Sequence, residues 1–317
     1  MSDPAGPAPV HIGLSGWRYP HWWRGAFYPP GLPQRSELAY AAASFDALEV
    51  NGSFYSLQRP SSWSSWSQVR WDDRDPADPA AGTRFAVKGG RFITHLKQLR
   101  DVAQPLANFF ASGMLLLGDR LGPFLWQLPP RMRYDPDRIA AFFDLLPDDT
   151  AAATELAARA DGATIDRVGH WWDLLDPGTE LPVRPLRHVI EVRHDSFAAP
   201  EFAAQCRDRN IALVVADTAR RFVWVDEVTA DVVYVRLHGD QELYASRYSD
   251  EGLDWWAHRV HDWRRIPGVR AVYVFFDNDG SANAPRDARR LAERVGVARP
   301  VPEFSRPPGS PRTSPRR

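Results

Sequence analysis

Short apolar runs recur along this chain, and most of them end in residues whose side chains can do chemistry. Leu213-Val214-Val215-Ala216 ends at Asp217, and Val233-Tyr234-Val235 leads into Arg236-Leu237-His238. Apolar runs of roughly four to eight residues between turn signals are typical of buried strands. Eight such strands are predicted, at residues 10–14, 46–51, 84–88, 122–127, 187–192, 211–216, 231–237 and 270–276.

Segments with helical periodicity lie between most of these strands. They are predicted at residues 37–44, 61–69, 101–117, 136–146, 150–160, 199–209, 250–264 and 284–295, with Ser36 as the N-cap of the first. Strands that alternate with helices indicate parallel βαβ units, and eight strands favour a single (β/α)8 barrel of the TIM type. A doubly wound open sheet is the alternative, but the first turn, Gly13-Leu14-Ser15-Gly16-Trp17, lacks the glycine-rich fingerprint of that fold.

The predicted barrel domain covers residues 10–298 and leaves no room for a second core. Residues 161–186, between strands four and five, are predicted to form an irregular insertion because they contain several prolines. Residues 1–9 are expected to be a flexible N-terminus. Residues 299–317 are rich in Pro, Ser and Arg, and we expect them to be a disordered tail.

Overall composition argues against several classes of partner. The 317-residue chain has a net charge of −1, which gives no general attraction to nucleic acid or to an anionic membrane. No secretory signal is recognised in residues 1–9, and no apolar run approaches the ~20 residues that span a bilayer. The one cysteine, Cys206, cannot form an intrachain disulfide, which fits a reducing compartment. We expect a cytoplasmic protein without a membrane partner.

Lysine is rare in this chain, since only Lys88 and Lys97 stand among its 39 Lys and Arg residues. A lysine ammonium can lose its proton, whereas the arginine guanidinium does not. Because Lys88 ends the predicted third strand, it is a candidate catalytic group. A purely structural role is the alternative reading for both lysines.

Side chains two positions apart share one face of a strand. Three pairs of polar residues at strand ends have this spacing: Glu49 with Asn51, Glu191 with Arg193, and Arg236 with His238. A charge is costly on the face that packs against helices, so we expect these pairs to point into the barrel mouth. His194 and Leu237 have the opposite parity and should face away. The alternative is a set of structural ion pairs.

Enzymes with this barrel fold bind their substrates at its C-terminal mouth. The candidate catalytic residues there are Glu49, Lys88, Glu191 and His238. The candidate substrate-binding residues are Trp17, Tyr19, Trp23, Asn51, His95, Gln127, Arg193, Asp217, Arg236 and Asn278. We predict that Glu49, Glu191, Arg236 and His238 converge in one pocket. The aromatic residues after strand one either stack on a ligand or form a lid packed on the barrel itself.

Motifs spread over about residues 11–295 occur in the order seen in one protein family. They include Gly13-Leu14-Ser15-Gly16-Trp17, Glu49-Val50-Asn51-Gly52, Phe85-Ala86-Val87-Lys88, Glu191-Val192-Arg193-His194, Val235-Arg236-Leu237-His238-Gly239 and Phe276-Asp277-Asn278-Asp279. With them the chain resembles domain-of-unknown-function family 72 (DUF72), the YecE-like proteins. The resemblance implies a TIM-type barrel but no reaction, because the activity of the family is not established. Two departures are a longer 161–186 segment and Asp277, which stands where the family pattern has Asn.

The candidate residues favour an enzyme that binds an anionic or polyhydroxylated small molecule. Two separated carboxylates and a histidine suit acid–base chemistry of the hydrolase or isomerase type, and the cations suit a phosphate or carboxylate. No cofactor is expected. A divalent-metal-dependent hydrolase or isomerase is an alternative, although the cations already neutralise the carboxylates.

Two further alternatives stay open. Schiff-base chemistry at Lys88 needs a lowered pKa, and the nearby carboxylates are expected to raise it. A non-catalytic nucleotide or nucleic-acid binding protein would use the aromatic segment after strand one. Salt dependence of binding distinguishes a phosphate-tracking surface from a small-ligand pocket.

Overall fold

The structure of the protein is a computed structural model that describes residues 6–23, 25–72, 75 and 77–304. Its centre is a closed barrel in which eight strands pair in sequence order, each parallel to its neighbours. The strands are β1 (Val10–Ser15), β2 (Ala47–Val50), β3 (Arg84–Lys88), β4 (Leu121–Gln127), β5 (His188–Glu191), β6 (Ala212–Asp217), β7 (Val232–Leu237) and β8 (Ala271–Phe276). The prediction of a (β/α)8 barrel is confirmed.

Ten helices surround the barrel within the described part of the chain. They are α1 (Glu37–Ser44), α2 (Gly52–Tyr55), α3 (Pro60–Ser67), α4 (Ala103–Phe110), α5 (Pro136–Phe143), α6 (Thr150–Ala157), α7 (Gly162–Val168), α8 (Pro200–Asp208), α9 (Asp250–Trp263) and α10 (Asn283–Val295). Residues 218–231, between β6 and β7, form no helix, so the β-then-α repeat is interrupted there. None of the described helices is long and apolar enough to cross a bilayer.

Two local predictions were wrong. The helix predicted at 101–117 is split into α4 and a 3₁₀ segment, Met114–Arg120, because Gly113 adopts a φ of +100° and ends the first piece. Ser36 does not cap α1 with its side chain. It already belongs to a 3₁₀ turn, Gln34–Ser36, and has helical rather than extended backbone angles, which the capping geometry requires.

The insertion predicted between β4 and β5 is present, but it is not irregular throughout, because residues 162–168 form the helix α7. Within it, Asp161 caps α7 by accepting a hydrogen bond of 2.7 Å from the backbone N–H of Thr164. A 3₁₀ turn, Trp171–Leu174, follows, and the remaining residues up to β5 form no regular helix or strand.

The interior of the barrel is filled by one cluster of apolar side chains, stacked along the barrel axis. Its members are Ala47, Ala86, Leu125, Val189, Ala212, Val214, Ala216, Val232, Tyr234, Ala271, Tyr273 and Phe275. Large rings from β7 and β8 occupy the space that alanines on β2, β3 and β6 leave free, as close packing requires. The alternate residues of each strand pack outward against the helices. Inward-pointing residues near the C-terminal ends of the strands, beyond these apolar side chains, therefore lie at the mouth.

The predicted tail begins with a residue that is firmly held. Arg299 Nη1 donates to the carbonyl oxygens of Ala42, Phe45 and Pro79 at 2.7, 2.9 and 2.8 Å, and its Nε lies 2.7 Å from Asp46 Oδ1. These acceptors belong to connections at the N-terminal end of the barrel. Of the predicted tail, residues 305–317 lie outside the described residues, as do residues 1–5 of the predicted N-terminal segment.

We expect Arg299→Ala to lower the free energy of unfolding by about 1–3 kcal/mol, because it removes a charged donor from three partly buried carbonyl groups and the ion pair with Asp46. Urea denaturation at pH 7 measures the change. Arg270→Ala is the matched control, since the Arg270 side chain is 77% exposed and has only a 3.5 Å ion pair with Asp231. Equal effects of the two changes would contradict the anchoring role of Arg299.

Candidate functional site at the barrel mouth

Arg236 lies fully buried in the centre of the barrel, on the C-terminal side of the apolar cluster that fills it. Its Nε and Nη2 donate to the two carboxylate oxygens of Glu49 at 3.1 and 2.8 Å, and its Nη1 donates to Glu191 Oε2 at 2.7 Å. Nη2 also donates to Ser15 Oγ at 2.9 Å and to Asp277 Oδ2 at 3.0 Å. We call Arg236, Glu49, Glu191 and Asp277 the Arg236 cluster. Its guanidinium is surrounded by protein acceptors, so Arg236 organises the floor of the mouth, and its predicted role in substrate binding stays a prediction.

Glu49 is equally enclosed. Besides the two bonds from Arg236, its carboxylate accepts from Ser15 Oγ at 2.5 Å and from the Tyr234 hydroxyl at 2.7 Å. The side chain is fully buried. With four donors already bound, Glu49 has no free oxygen position with which to take a proton from a substrate.

Glu191 is buried on the opposite side of the guanidinium. Its Oε1 accepts from Gln127 Nε2 at 2.8 Å and from Arg193 Nε at 3.1 Å. Burial acts to raise the pKa of Glu191, but the charges of Arg236 and Arg193 outweigh it and hold that pKa well below the ordinary value. Glu191 is therefore an ionised partner of two arginines near neutral pH, and it has no proton to donate.

His238 and Asp277 complete the floor. His238 is fully buried, with Nε2 3.8 Å from Glu191 Oε1 and Nδ1 3.0 Å from Asp277 Oδ2. Burial acts to raise the pKa of Asp277, but Arg236 and His238 lower it to about 2. The predicted convergence of Glu49, Glu191, Arg236 and His238 is present, and Asp277 joins it.

A cleft of about 600 Å³ opens above the Arg236 cluster, a volume within the range of small-molecule sites. We call it the mouth cleft. Its lining residues are Tyr19, Asn51, Phe54, Tyr55, Lys88, Arg91, His95, Gln127, Tyr244, Asp277 and Asp279.

Lys88 extends from the end of β3 into the mouth cleft. Its side chain is only 9% exposed, its Nζ lies 4.8 Å from the centre of the Phe54 ring, and no described residue forms an ion pair or hydrogen bond with the ammonium. Burial, and then the charge of Arg236, lower the pKa of Lys88 to about 8, against the opposing attraction of the three carboxylates of the cluster. The carboxylates do act to raise the pKa of Lys88, as expected, but burial and Arg236 together outweigh them.

His95 lies in a π-helical turn, Phe92–Leu96, that follows β3. Such turns are frequent at functional sites. Its Nδ1 lies 2.9 Å from Thr94 Oγ1. Burial, followed by the positive charge of Lys88 and neighbouring arginines, lowers the pKa of His95 to about 4. The imidazole is neutral at pH 7. The contributions of Lys88 and the arginines to the lowered pKa indicate a positive potential on this side of the cleft.

Tyr244 closes the cleft from the loop after β7. Its hydroxyl accepts a hydrogen bond from Arg193 Nη2 at 3.1 Å, and its ring meets His238 edge-on at 5.2 Å. The loop bends at Gly239, whose φ is +129° and where a Cβ would lie 2.2 Å from the carbonyl oxygen of Glu242. Sequence reasoning missed Tyr244, because no periodic pattern reports how a loop folds.

The aromatic segment after β1 mostly faces away from the mouth, which corrects the prediction for Trp17 and Trp23. The Trp17 ring packs on Trp66 at 5.3 Å, outside the barrel, and Trp23 Nε1 donates to Glu37 Oε1 at 2.6 Å. Tyr19 does line the mouth cleft, where its hydroxyl donates to the carbonyl oxygen of Ser15 at 2.6 Å.

Asp217 and Asn278 were also predicted at the mouth and lie elsewhere. Asp217 accepts from the Tyr248 hydroxyl at 2.8 Å behind β6, and Asn278 Nδ2 donates to Asp287 Oδ2 at 2.9 Å behind β8. Their parity explains both errors, since the inward residues of these strands are Ala216 and Phe275. The same rule, applied to Phe275, points to Asp277 instead of Asn278.

The divalent-metal alternative depends on clustered carboxylates and histidines. Within residues 6–304, apart from the four undescribed positions, no group of three or more His, Cys, Asp or Glu side chains is arranged to hold a metal ion. The carboxylates of Glu49 and Glu191, which a metal would need, are the partners of Arg236.

The sequence profile of the family described as protein of unknown function DUF72 matches residues 11–313. The fold is similar to that of a DUF72 family protein from Thermotoga maritima, with 23% identity, a TM-score of 0.67, and coverage of 91% of this chain and 99% of that one. A DUF72 family protein from Enterococcus faecalis is 15% identical, with a TM-score of 0.64 over 93% of this chain and all of that one (100%). A comparison with curated proteins finds no match. The chain belongs to the DUF72 family.

Proposed function

We propose that this protein is an enzyme that binds a small anionic molecule in the mouth cleft and performs acid–base chemistry on it. One observation carries the proposal: Lys88 and Arg91 line the cleft without an ion-pair partner among the described residues. Lys88 is buried and Arg91 is exposed at the cleft, and cations without protein partners are suited to bind a carboxylate or phosphate.

The remaining lining residues divide into groups with different tasks. Asp277 is ionised above a pH of about 2 and presents a carboxylate that can accept a proton. His95 is a neutral imidazole near pH 7 and can donate a hydrogen bond to a ligand oxygen without adding charge. The predicted catalytic pair Glu49 and Glu191 acts indirectly in this proposal, because both carboxylates hold Arg236 in place.

The alternatives draw less support from the same residues. A metal-dependent reaction would have to displace Arg236 from Glu49 and Glu191. A nucleic-acid surface built on the aromatic segment after β1 would need several exposed rings there. Trp23 is 41% exposed, but Trp17 packs on Trp66, and Trp22 and Tyr28 are buried.

Arg91→Ala is expected to weaken ligand binding at least tenfold. A thermal-shift screen of inorganic phosphate, sugar phosphates, 2-oxo acids and nucleotides identifies a stabilising compound first. A ligand at about 100 times its Kd should stabilise the wild type by about 2.7 kcal/mol. Arg286→Ala, an exposed arginine on α10 outside the cleft, is the matched control and should bind normally. A screen without any stabilising anion, or equal binding by both variants, would refute the proposal.

A further inference from the structure

The position of Lys88 points to a more specific reaction in the mouth cleft. This inference rests on the proposed function. We infer that Lys88 is a nucleophile that forms a Schiff base with a small aldehyde or ketone carrying a carboxylate or phosphate group. Lys88 would then have a covalent role in addition to its role as a cation of the mouth cleft.

The position of the Lys88 amine supports a role as a nucleophile. Lys88 is more than nine-tenths buried, yet it lines the mouth cleft, and no described carboxylate forms an ion pair with it. The Phe54 ring covers one side of the amine, with its centre 4.8 Å from Nζ, and gives it an apolar neighbour. A structural lysine at a barrel centre would normally be paired, because an unpaired buried ammonium is costly.

The charges around the Lys88 amine also support a role as a nucleophile. The groups that influence it are Arg236, the carboxylates of Glu49, Asp277 and Glu191, and the neutral imidazole of His95. Burial and Arg236 together outweigh the carboxylates and bring the pKa of Lys88 to about 8. At pH 7 roughly one tenth of such an amine is neutral, about 200 times more than for an ordinary lysine with a pKa near 10.4. A desolvated lysine beside another cation is a recognised way to activate this nucleophile.

The reaction is balanced without any further reagent. The nitrogen lone pair of Lys88 attacks the carbonyl carbon, a C–N bond forms, and the π electrons move to oxygen. The carbonyl oxygen then leaves as water and takes both hydrogens of the amine. The proton that the nitrogen releases passes to the departing oxygen, and ionised Asp277 in the same cleft stabilises the positive charge that the nitrogen carries in between. No electrons are transferred to or from an external partner.

The second cation of the cleft defines the substrate class. Once Lys88 is bound to carbon, Arg91 remains to hold an anionic group. The substrate therefore needs a carbonyl and a separate carboxylate or phosphate. A 2-oxo acid and a keto sugar phosphate both meet this requirement, and they differ in the anion that Arg91 contacts.

Borohydride trapping tests the inference on the full chain. The protein is incubated with pyruvate, dihydroxyacetone phosphate or uncharged acetone and is then reduced with sodium borohydride. The chain has only two lysines, and a modified lysine resists trypsin. An adduct on Lys88 appears in the peptide of residues 85–91, and an adduct on Lys97 in that of residues 92–100.

We expect adducts on Lys88 to exceed those on exposed Lys97 more than tenfold at pH 7 with at least one anionic probe, and acetone to label neither selectively. The yield on Lys88 should rise with pH and level off above about 8, as the amine loses its proton. Lys88→Met should abolish the selective adduct, whereas Lys97→Arg should leave it unchanged. The stronger of the two anionic probes identifies the anionic group.

The outcomes separate the two proposals. If an anion stabilises the protein through Arg91 but no adduct forms on Lys88, the Schiff base is refuted and the proposed function stands. If Lys88 and Lys97 are labelled equally, the activation of Lys88 is refuted. If no anion binds and no adduct forms, both proposals fail.

Discussion

Replacing Arg236 with methionine is expected to lower the free energy of unfolding by about 3–5 kcal/mol, because it leaves buried carboxylates without their counter-ion. Glu49 and Glu191 are both fully buried, and each depends on the guanidinium for a charge-assisted hydrogen bond of 2.7–3.1 Å. Chemical denaturation at pH 7, followed by tryptophan fluorescence, measures the loss. This substitution should destabilise the protein more than any surface change.

The effect of Arg236→Met should also depend on pH. In the wild type the folded-state pKa of Glu191 is below the ordinary value of 4.5. Its ion pair therefore contributes stability that is fully present above pH 4.5 and is lost as the pH falls through the folded-state value. In the variant Glu191 keeps only one of its two arginine partners, Arg193, so burial is opposed less strongly and a proton on Glu191 relieves part of the cost of its charge. The difference between wild type and variant should therefore shrink as the pH falls from 7 toward 5.

Two controls isolate the buried charge in this experiment. Arg207→Met removes an ion pair with Glu227 whose side chains are 50% and 43% exposed, and it should cost less than about 1 kcal/mol. Arg236→Lys keeps the charge but loses the forked geometry of the guanidinium. Its loss in the free energy of unfolding should therefore lie between those of Arg207→Met and Arg236→Met. A cost for Arg236→Met no larger than that of the surface variant, or one that does not change with pH, contradicts the proposed role of the cluster.

Gly13→Ala should have an effect of similar size through steric overlap. Gly13 in β1 pairs with Ala47 in β2, and a Cβ at position 13 would lie 1.7 Å from the carbonyl oxygen of Ala47. The obstacle is backbone held in the β1–β2 ladder, so relief requires the two strands to separate. We expect a loss on the order of 4 kcal/mol or more, or failure to fold. Thermal unfolding followed by circular dichroism measures it.

The chain offers a matched glycine for comparison. Gly162 begins α7, and a Cβ there would meet nothing within 4 Å. Gly162→Ala should be neutral or stabilising by about 0.4–1 kcal/mol, because alanine loses less backbone entropy on folding. If both alanine variants melt at the same temperature as the wild type, the close approach of β1 and β2 at Gly13 is not a constraint.

The strands could be predicted because their signal is local. Each strand shows its apolar run directly in the sequence, and the two-residue period assigns its faces. That period correctly grouped Glu49, Glu191 and Arg236 inside the barrel. The two-residue period was not applied at Asn278, and the prediction failed there. Asp277, one position earlier, is the residue that points inward.

The loop residues of the mouth cleft could not be predicted in the same way. Phe54 and Arg91 enter the cleft through short helical turns after β2 and β3, and Tyr244 enters through a loop with left-handed backbone angles. Their positions depend on contacts between distant segments, such as the bond from Arg193 to Tyr244. Such contacts have no period in the sequence.

The sequence by itself determined the barrel, the strands and the charged residues that line its interior, because these follow from apolar periodicity. Only the tertiary structure decided which charges neutralise one another. Arg236 occupies the space between Glu49 and Glu191, so both carboxylates are held in ion pairs, and Lys88 is left buried without an ion-pair partner in the described part of the chain. Electrostatic pairing depends on distances of a few ångströms between side chains remote in sequence, and the closed barrel sets those distances.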